Sequence, residues 1–299
     1  MTRLPPYLLK KVSFGGETFR LKKRLRSLGV ATVCEQALCP NISECFADGE
    51  LTFMAMGEIC TRSCRFCGVG RGKPLPLEPE EPEKIARAAR QLDLNFVVIT
   101  SVTRDDLDDG GAGHLAAVIR RVKEELPGTG VEVLVPDFGG DESALRTVLA
   151  AGPDVLGHNL ETVRRLYPSA RPDSDYRRSL ELLQRAAREG LPVKSGFMVG
   201  LGETEEEIGE LIGDIYSAGA RMLTIGHYLP PTAAHLPLVK PRPEEKFEEY
   251  RRKARARGFF SVRSGPFVRS SHRARRQWLD LKNRRGSATV PETASGGED

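Results

Sequence analysis

At 299 residues the chain is long enough for one large α/β domain or two small ones, with ample material for a hydrophobic core. Its 39% hydrophobic and 29% charged residues are an ordinary water-soluble mixture, and no stretch approaches the ~20 apolar residues of a membrane span. The opening Met-Thr-Arg-Leu-Pro-Pro-Tyr has no apolar signal core, so a cytoplasmic location is expected. The net charge of +4 rules out a strongly polyanionic or polycationic chain as a whole.

Residues 1–50 hold few apolar runs. Arg20 to Leu28 predicts a short basic helix, and the rest of this section reads as an irregular extension. From Leu51 short apolar runs alternate with helical periodicity. Strands are predicted at Thr52–Met56, Phe96–Thr100, Val131–Val135, Val155–His158, Val193–Val199 and Met222–Tyr228. Helices are predicted at Pro82–Leu92, Leu115–Glu125, Glu142–Ala151, Leu160–Leu166 and Ser174–Glu189. Thr204 with Glu207 reads as a capping box opening a helix to about Ser217. Pro243 starts a last long helix to Arg257 at a position where its missing N–H costs nothing.

Six strand–helix units in succession imply a parallel sheet with right-handed crossovers. Gly200-Leu-Gly202 lacks the third glycine of a dinucleotide fingerprint and no phosphate-binding P-loop is present, so a partial (β/α)6 TIM-type barrel is preferred to a Rossmann fold. The chain thus divides into an N-terminal extension (1–50), the barrel (51–240), a C-terminal helix with a basic extension (241–285) and a tail (286–299). The tail is mostly Ser, Thr, Gly, Ala and acid and is expected to be disordered.

All six cysteines fall between residues 34 and 67, in two triplets: Cys34-x4-Cys39-x5-Cys45 and Cys60-x3-Cys64-x2-Cys67. Disulfides fit poorly with a large chain lacking an export signal. Structural zinc takes paired cysteines summing to four ligands, which these spacings do not offer, although a zinc ribbon stays open on spacing alone. Three thiolates per group suit a cubane iron–sulfur cluster with one iron left for another ligand. The second triplet follows the first strand directly, where a barrel builds its site.

Charge is unevenly placed. From Arg251 to Arg285 there are thirteen Lys or Arg against one acid, Asp280. Such a stretch suits a solvated face or an acidic partner. No aromatic stacking pattern of a nucleic-acid reader accompanies it.

The Cys60-Thr-Arg-Ser-Cys64-Arg-Phe-Cys67 run resembles the radical S-adenosylmethionine (SAM) superfamily. Three further segments narrow the resemblance to the lipoyl synthase family: Cys34-Glu-Gln-Ala-Leu-Cys39-Pro-Asn-Ile-Ser-Glu-Cys45, Lys194-Ser-Gly-Phe-Met-Val-Gly-Leu-Gly-Glu-Thr204 and Gly265-Pro-Phe-Val-Arg-Ser-Ser271. It covers roughly residues 3–275. The resemblance implies sulfur insertion at C6 and C8 of an octanoyl chain carried on a lysine of a lipoyl carrier. Two 4Fe–4S clusters and SAM are implied as cofactors. Octanoylated E2 subunits of 2-oxoacid dehydrogenases and the glycine cleavage H protein are implied as carriers, with ferredoxin or flavodoxin as electron donor. No membrane or nucleic acid is implied.

By the same resemblance Cys60, Cys64 and Cys67 hold the SAM-cleaving cluster. Cys34, Cys39 and Cys45 hold a sacrificial one, with Ser271 as fourth ligand and Ser270 as the alternative. A hard oxygen is a poor match for iron–sulfur, which suits a cluster that must come apart. Asp105, Asp106, Asn159, Glu161 and Lys194 follow or lie on strands and are candidate SAM contacts. Helix capping is the competing role for Asn159 and the aspartates. Arg269 is expected either to close the site or to form a structural ion pair. His272 stands where the family usually has Tyr, and Gly226-His227-Tyr228 where it has Gly-Gln-Tyr. An acidic carrier is expected to dock near the Arg251–Arg285 stretch.

Overall fold

The computed structural model describes residues 4–10 and 15–287. Seven parallel strands lie side by side in sequence order: β1 (Thr52–Ala55), β2 (Phe96–Ser101), β3 (Gly130–Leu134), β4 (Val155–Gly157), β5 (Val193–Val199), β6 (Met222–His227) and β7 (Ser261–Ser264). Strictly sequential order means every crossover runs the same way, and the sheet curls towards a barrel. It does not close, because β1 and β7 are not paired; the outer edge of β1 carries instead an antiparallel two-residue strand, Ala31–Thr32. This is the partial barrel that the alternating pattern predicts.

The strands are aliphatic on both faces because both faces are covered. Val97, Ile99, Val131 and Val133 face the helical layer and are fully buried. That layer consists of α2 (Glu81–Gln91), α3 (Ala112–Glu125), α4 (Glu142–Ala150), α5 (Tyr176–Arg188), α6 (Glu205–Ser217) and α7 (Glu244–Arg257). Local chemistry sets their starts. Asp141 accepts from Ser143 N–H, Asp175 from Arg178 N–H, and Thr204 and Glu207 form the predicted reciprocal capping box.

Four sequence expectations need correction. Leu160–Leu166 is helical only at its end, in the 3-10 turn Arg164–Leu166: Glu161 N–H donates to the Gly196 carbonyl at 3.1 Å and Met198 N–H to the Glu161 carbonyl at 2.8 Å, which draws the start of the stretch onto β5. The sequence analysis did not anticipate β7, a four-residue run after α7 that pairs with Met222–Ile225. The N-terminal extension is more helical than expected, with α1 (Gly16–Ser27) and the short helices Val33–Gln36 and Ile42–Ala47. Finally, a helix runs from Ala274 to Ser287, through the point where the pattern was expected to fade; it is α8. The expected disordered tail lies, beyond Ser287, outside the described residues.

Helix α8 shapes the site from below. Trp278 packs on Phe96 with ring centroids 5.2 Å apart, in a buried cluster with Val98, Val155 and Met222. These are inward-facing residues near the strand N-termini, so α8 stops the bottom of the barrel. Among the described residues no helix is long and apolar enough to cross a membrane.

Candidate functional site

The second cysteine triplet leaves β1 at a sharp turn. Met56 and Gly57 both have positive φ, and the Met56 N–H is held by Glu81 at 2.8 Å, a carboxylate that also meets His114 at 2.7 Å. The loop is then fastened at its sides by the C-terminal ends of other strands. Thr61 donates through N and Oγ1 to the Thr103 carbonyl after β2. Arg62 forks onto Asp105, 2.8 Å to each oxygen, and reaches Asp137 after β3 at 2.7 Å. Ser63 gives both N–H and O–H to Asp173, at 2.8 and 2.7 Å, and Arg65 N–H donates to the Ala170 carbonyl at 2.9 Å. From the loop after β6, His235 Nε2 donates to the Cys67 carbonyl at 2.9 Å. Burial pushes the Cys64 thiol up and the Cys67 thiol up to about 11. A soft metal that binds such thiols displaces their protons into solvent.

The first triplet is assembled differently. Cys34 lies in the short helix Val33–Gln36, whose Thr32 cap accepts from Glu35 N–H, and Cys45 lies in Ile42–Ala47. Burial raises both thiols to about 12, with the neighbouring cysteines adding to the shift. The C-terminal segment after β7 comes up against them. Asn41 Nδ2 donates to the Phe267 carbonyl at 2.6 Å, and Arg273 N–H to Glu50 at 3.2 Å. A cavity of about 190 Å³ results, lined by Cys34, Cys39, Cys45, Arg269, Ser271 and His272 among others. Gly226 makes this approach feasible: a Cβ there would lie 2.2 Å from the Val268 carbonyl oxygen.

The two serines part company. Ser271 lines the cavity with the three cysteines, whereas Ser270 Oγ accepts a hydrogen bond from Asn159 Nδ2. Asn159 also donates to Glu161 Oε1 at 3.0 Å. Burial lifts the Glu161 carboxyl above its ordinary range, with Arg171, Asn159 and Arg269 pulling the other way. Arg269 is held down by burial, with Cys39 and Glu161 pulling the other way, and it lines the cavity of the first triplet.

Three other sequence candidates are committed elsewhere. Asp105 is forked by Arg62, and Asp106 by Arg104 at 2.8 Å to each oxygen. Both carboxylates are occupied by structural ion pairs. Lys194 is the clearest correction. It sits second in β5, near the barrel floor, and its Nζ lies 2.8 and 3.1 Å from the two Glu132 oxygens, with both side chains buried. A lysine so paired does not reach the mouth of the barrel.

Sequence reasoning missed three buried groups. Arg62 was readable, since it lies inside the cysteine triplet. His158 is fully buried, donates from Nδ1 to the Val135 carbonyl at 2.8 Å, and is pushed down to about 4 by burial and then Arg171. Arg171 is 8% exposed and donates to the Asn159 carbonyl at 3.0 Å. His158 heads the His158-Asn-Leu-Glu-Thr162 segment, which shares in the family resemblance, whereas Arg171 sits in no pattern that marks it in the sequence.

In residue type the donor sets suit iron–sulfur clusters, with six free thiols in two groups of three soft ligands; among the described residues no three of them are drawn in around a single metal ion. A model of the radical SAM superfamily matches residues 54–215. The lipoyl synthase of Methylococcus capsulatus is 50% identical over 278 residues, covering 92% of this chain and 86% of that one. The chain belongs to the lipoyl synthase family. Within that family it is also 50% identical to the Trichlorobacter lovleyi enzyme (91% of this chain, 97% of that one) and 49% identical to the Thermus thermophilus enzyme (94% and 88%). Among solved structures, Streptococcus suis SuiB bound to S-adenosylmethionine superposes with a TM-score of 0.51 at 14% identity, over 81% of this chain and 57% of that one. HydG, a maturase of the FeFe-hydrogenase, gives 0.50 at 14% identity, over 84% and 68%. These two likenesses concern the fold alone. Membership of the radical SAM superfamily brings SAM and 4Fe–4S chemistry with it.

Proposed function

We propose that the protein is a lipoyl synthase that carries two 4Fe–4S clusters and inserts sulfur at C6 and C8 of an octanoyl chain on the lysine of a lipoyl carrier. Cys60, Cys64 and Cys67 would hold one cluster at the mouth of the barrel. Cys34, Cys39, Cys45 and Ser271 would hold the other. When bound, the first group with SAM supplies a 5′-deoxyadenosyl radical, and the second supplies sulfur. The observation that carries the two-cluster reading is the cavity shared by Ser271 and all three N-terminal cysteines.

The chain's own residues have definable tasks. Asp105, Asp137 and Asp173 fix the second triplet through Arg62 and Ser63. Asn159 and Glu161, joined at the end of β4, offer an amide and a carboxylate to the ribose or amine of SAM. Asn159 also steers Ser270 away from the cavity, which leaves Ser271 as the oxygen ligand. Arg269, in the cavity of the first triplet, is suited to a carboxylate there. The barrel and its two extensions serve this assembly, with the extensions meeting through the Asn41–Phe267 and Glu50–Arg273 contacts. Octanoylated carriers and a ferredoxin- or flavodoxin-type donor, in the cytoplasm, complete the proposal.

Anaerobic reconstitution followed by mixing with SAM, a reductant and an octanoyl-lysyl peptide tests it. About eight irons per chain are expected, with a peptide that gains two sulfurs and loses two hydrogens once its dithiol closes. SAM cleavage with an unchanged peptide would overturn the substrate. Uptake of zinc in place of iron would overturn the chemistry.

A further inference from the structure

The second cysteine triplet has an outer side for which the chemistry above gives no task. Cys60 belongs to a two-stranded parallel ribbon in which Ile59–Cys60 runs beside Gly70–Arg71, with Cys60 opposite Arg71. The Gly72 N–H donates to the Cys60 carbonyl at 3.1 Å. Neighbouring strands lie about 4.8 Å apart, so a body resting on Gly70–Lys73 is one strand away from the Cys60 backbone. Gly70, Arg71, Gly72 and Lys73 are all exposed, and the two glycines put no side chain between such a body and the main chain.

The charge on this side is unspent. From Ile59 to Leu77 the chain has four basic residues and no acid. Arg62 is neutralised by Asp105 and Asp137, and Arg65 leans on the Ser169 carbonyl. Among the described residues Arg71 and Lys73 form no ion pair and no side-chain hydrogen bond. The flanking acids, Glu58 and Glu78, are held by Gln36 and Lys84. Two leucines frame the cations. Leu75 is 80% and Leu38 61% exposed, and Leu38 follows Ala37, whose carbonyl oxygen would lie 3.3 Å from a Cβ on Gly68. Free cations beside exposed leucines suit a partner with acids around an apolar centre.

Location decides between partners. Helix α8 and its cations lie under the floor, at the other end of the barrel from this ribbon. Electron tunnelling weakens exponentially with distance, so an electron donor must come to the face that carries a ligand of the SAM-cleaving group. An acyl carrier needs only its lysyl arm to reach the mouth.

We infer that the Gly70–Lys73 segment, framed by Leu38 and Leu75, is the docking surface of an acidic one-electron carrier protein that reduces the group held by Cys60, Cys64 and Cys67. The inference rests on the function proposed above, which needs such an electron. The donor's flavin or iron–sulfur centre is oxidised by one electron, the acceptor is reduced by one, and no bond forms or breaks. Encounters of this class bury less than about 1,200 Å² in total, so a few residues suffice, and their rate depends on charge.

The test measures 5′-deoxyadenosine release by the reconstituted full-length protein with SAM, driven by dithionite or by titrated reduced flavodoxin or ferredoxin. The parent is compared with Arg71→Glu/Lys73→Glu, with Arg71→Gln/Lys73→Gln, and with Arg252→Glu, an exposed reversal on α7. The dithionite-driven rate of each protein is its reference. The double reversal is expected to need about tenfold more protein donor for half-maximal rate, and the double neutralisation about threefold more. Unchanged donor dependence in both double variants, or an equal change in Arg252→Glu, would overturn the surface and leave the enzyme assignment standing. A raised KM for an octanoylated carrier domain under dithionite, with donor dependence unchanged, would give the surface to the carrier and overturn the inference. So would a parent that dithionite drives and neither protein donor does. A parent that releases no 5′-deoxyadenosine even with dithionite would overturn the function and the inference together.

Discussion

The two cysteine triplets are separated by only fourteen residues, between Cys45 and Cys60, yet they are held by opposite means. The second is fastened to the barrel rim by side chains and carbonyls from the loops after β2, β3, β4 and β6. The first sits in short helices of the N-terminal extension and meets a segment more than 220 residues away in sequence, at the Asn41–Phe267 and Glu50–Arg273 contacts. A group fixed by many independent bonds keeps its geometry through repeated use. A group closed by one returning segment has a cavity that can open when that segment moves. The contrast would suit the proposed roles, one group reduced again and again and the other taken apart.

Breaking either triplet should separate these roles completely. Cys64→Ala is expected to abolish SAM cleavage and halve the bound iron. Cys34→Ala should also halve the iron yet leave SAM cleavage intact, with no sulfur reaching the peptide. Iron analysis and 5′-deoxyadenosine release measure both. Equal loss of SAM cleavage in the two variants would erase the distinction.

The floor helix offers a finer cut. Trp278→Ala removes the ring that packs on Phe96, and a loss of about 3–5 kcal/mol is expected by urea unfolding. Because α8 begins three residues after Ser271, iron should be lost from the first triplet before the second.

Acid should loosen the strand end that carries the SAM candidates. His158 is held neutral, its folded value of about 4 lying below the unfolded 6.5. The unfolded chain therefore binds the extra proton between those values. Stability is full above 6.5 and falls as the pH drops towards about 4, by up to ~3 kcal/mol. Urea midpoints at pH 7 and pH 5 should differ less in His158→Gln than in the parent.

Exchanging the serines is a smaller test. Ser271→Ala should stop sulfur insertion while SAM cleavage continues. Ser270→Ala, which loses only the Asn159 contact, should cost about 10-fold in sulfur insertion. The reverse ranking would make Ser270 the ligand. The smallest effect concerns docking. The basic stretch is divided between α7 on the outer layer and α8 under the floor, and Arg255, Arg263, Arg273 and Arg276 stand near one another. Raising salt from 0.05 to 0.5 M, a range over which screening shortens to a few ångströms, should weaken binding of an acidic carrier several-fold. Salt-independent binding would move the docking face elsewhere.

Much of the fold was legible because both periodicities are strong. Apolar runs of four to seven residues and capped amphipathic helices place six of the seven parallel strands and all of the helices that cover them. Leu160–Leu166 misled because its apolar spacing suits a helix, while the pull of β5 on Glu161 is a tertiary hydrogen bond. Strand β7 is too short and too polar to stand out; it exists because β6 has an open edge. Lys194 lies in a strand like the other candidates, but only the opposed Glu132 shows that it is consumed at the floor.

The sequence by itself determined the chemistry. Two groups of three soft ligands at fixed spacing, one of them straight after the first strand, carry the proposal of two clusters with open irons, because ligation depends on residue type and local reach. The tertiary structure alone decided which serine faces the cavity, which carboxylates are already spent on arginines, and that the buried Arg171 guanidinium meets the Asn159 carbonyl. Those are contacts between residues distant along the chain, and they are set by how the barrel and its two extensions pack together, which no local pattern encodes.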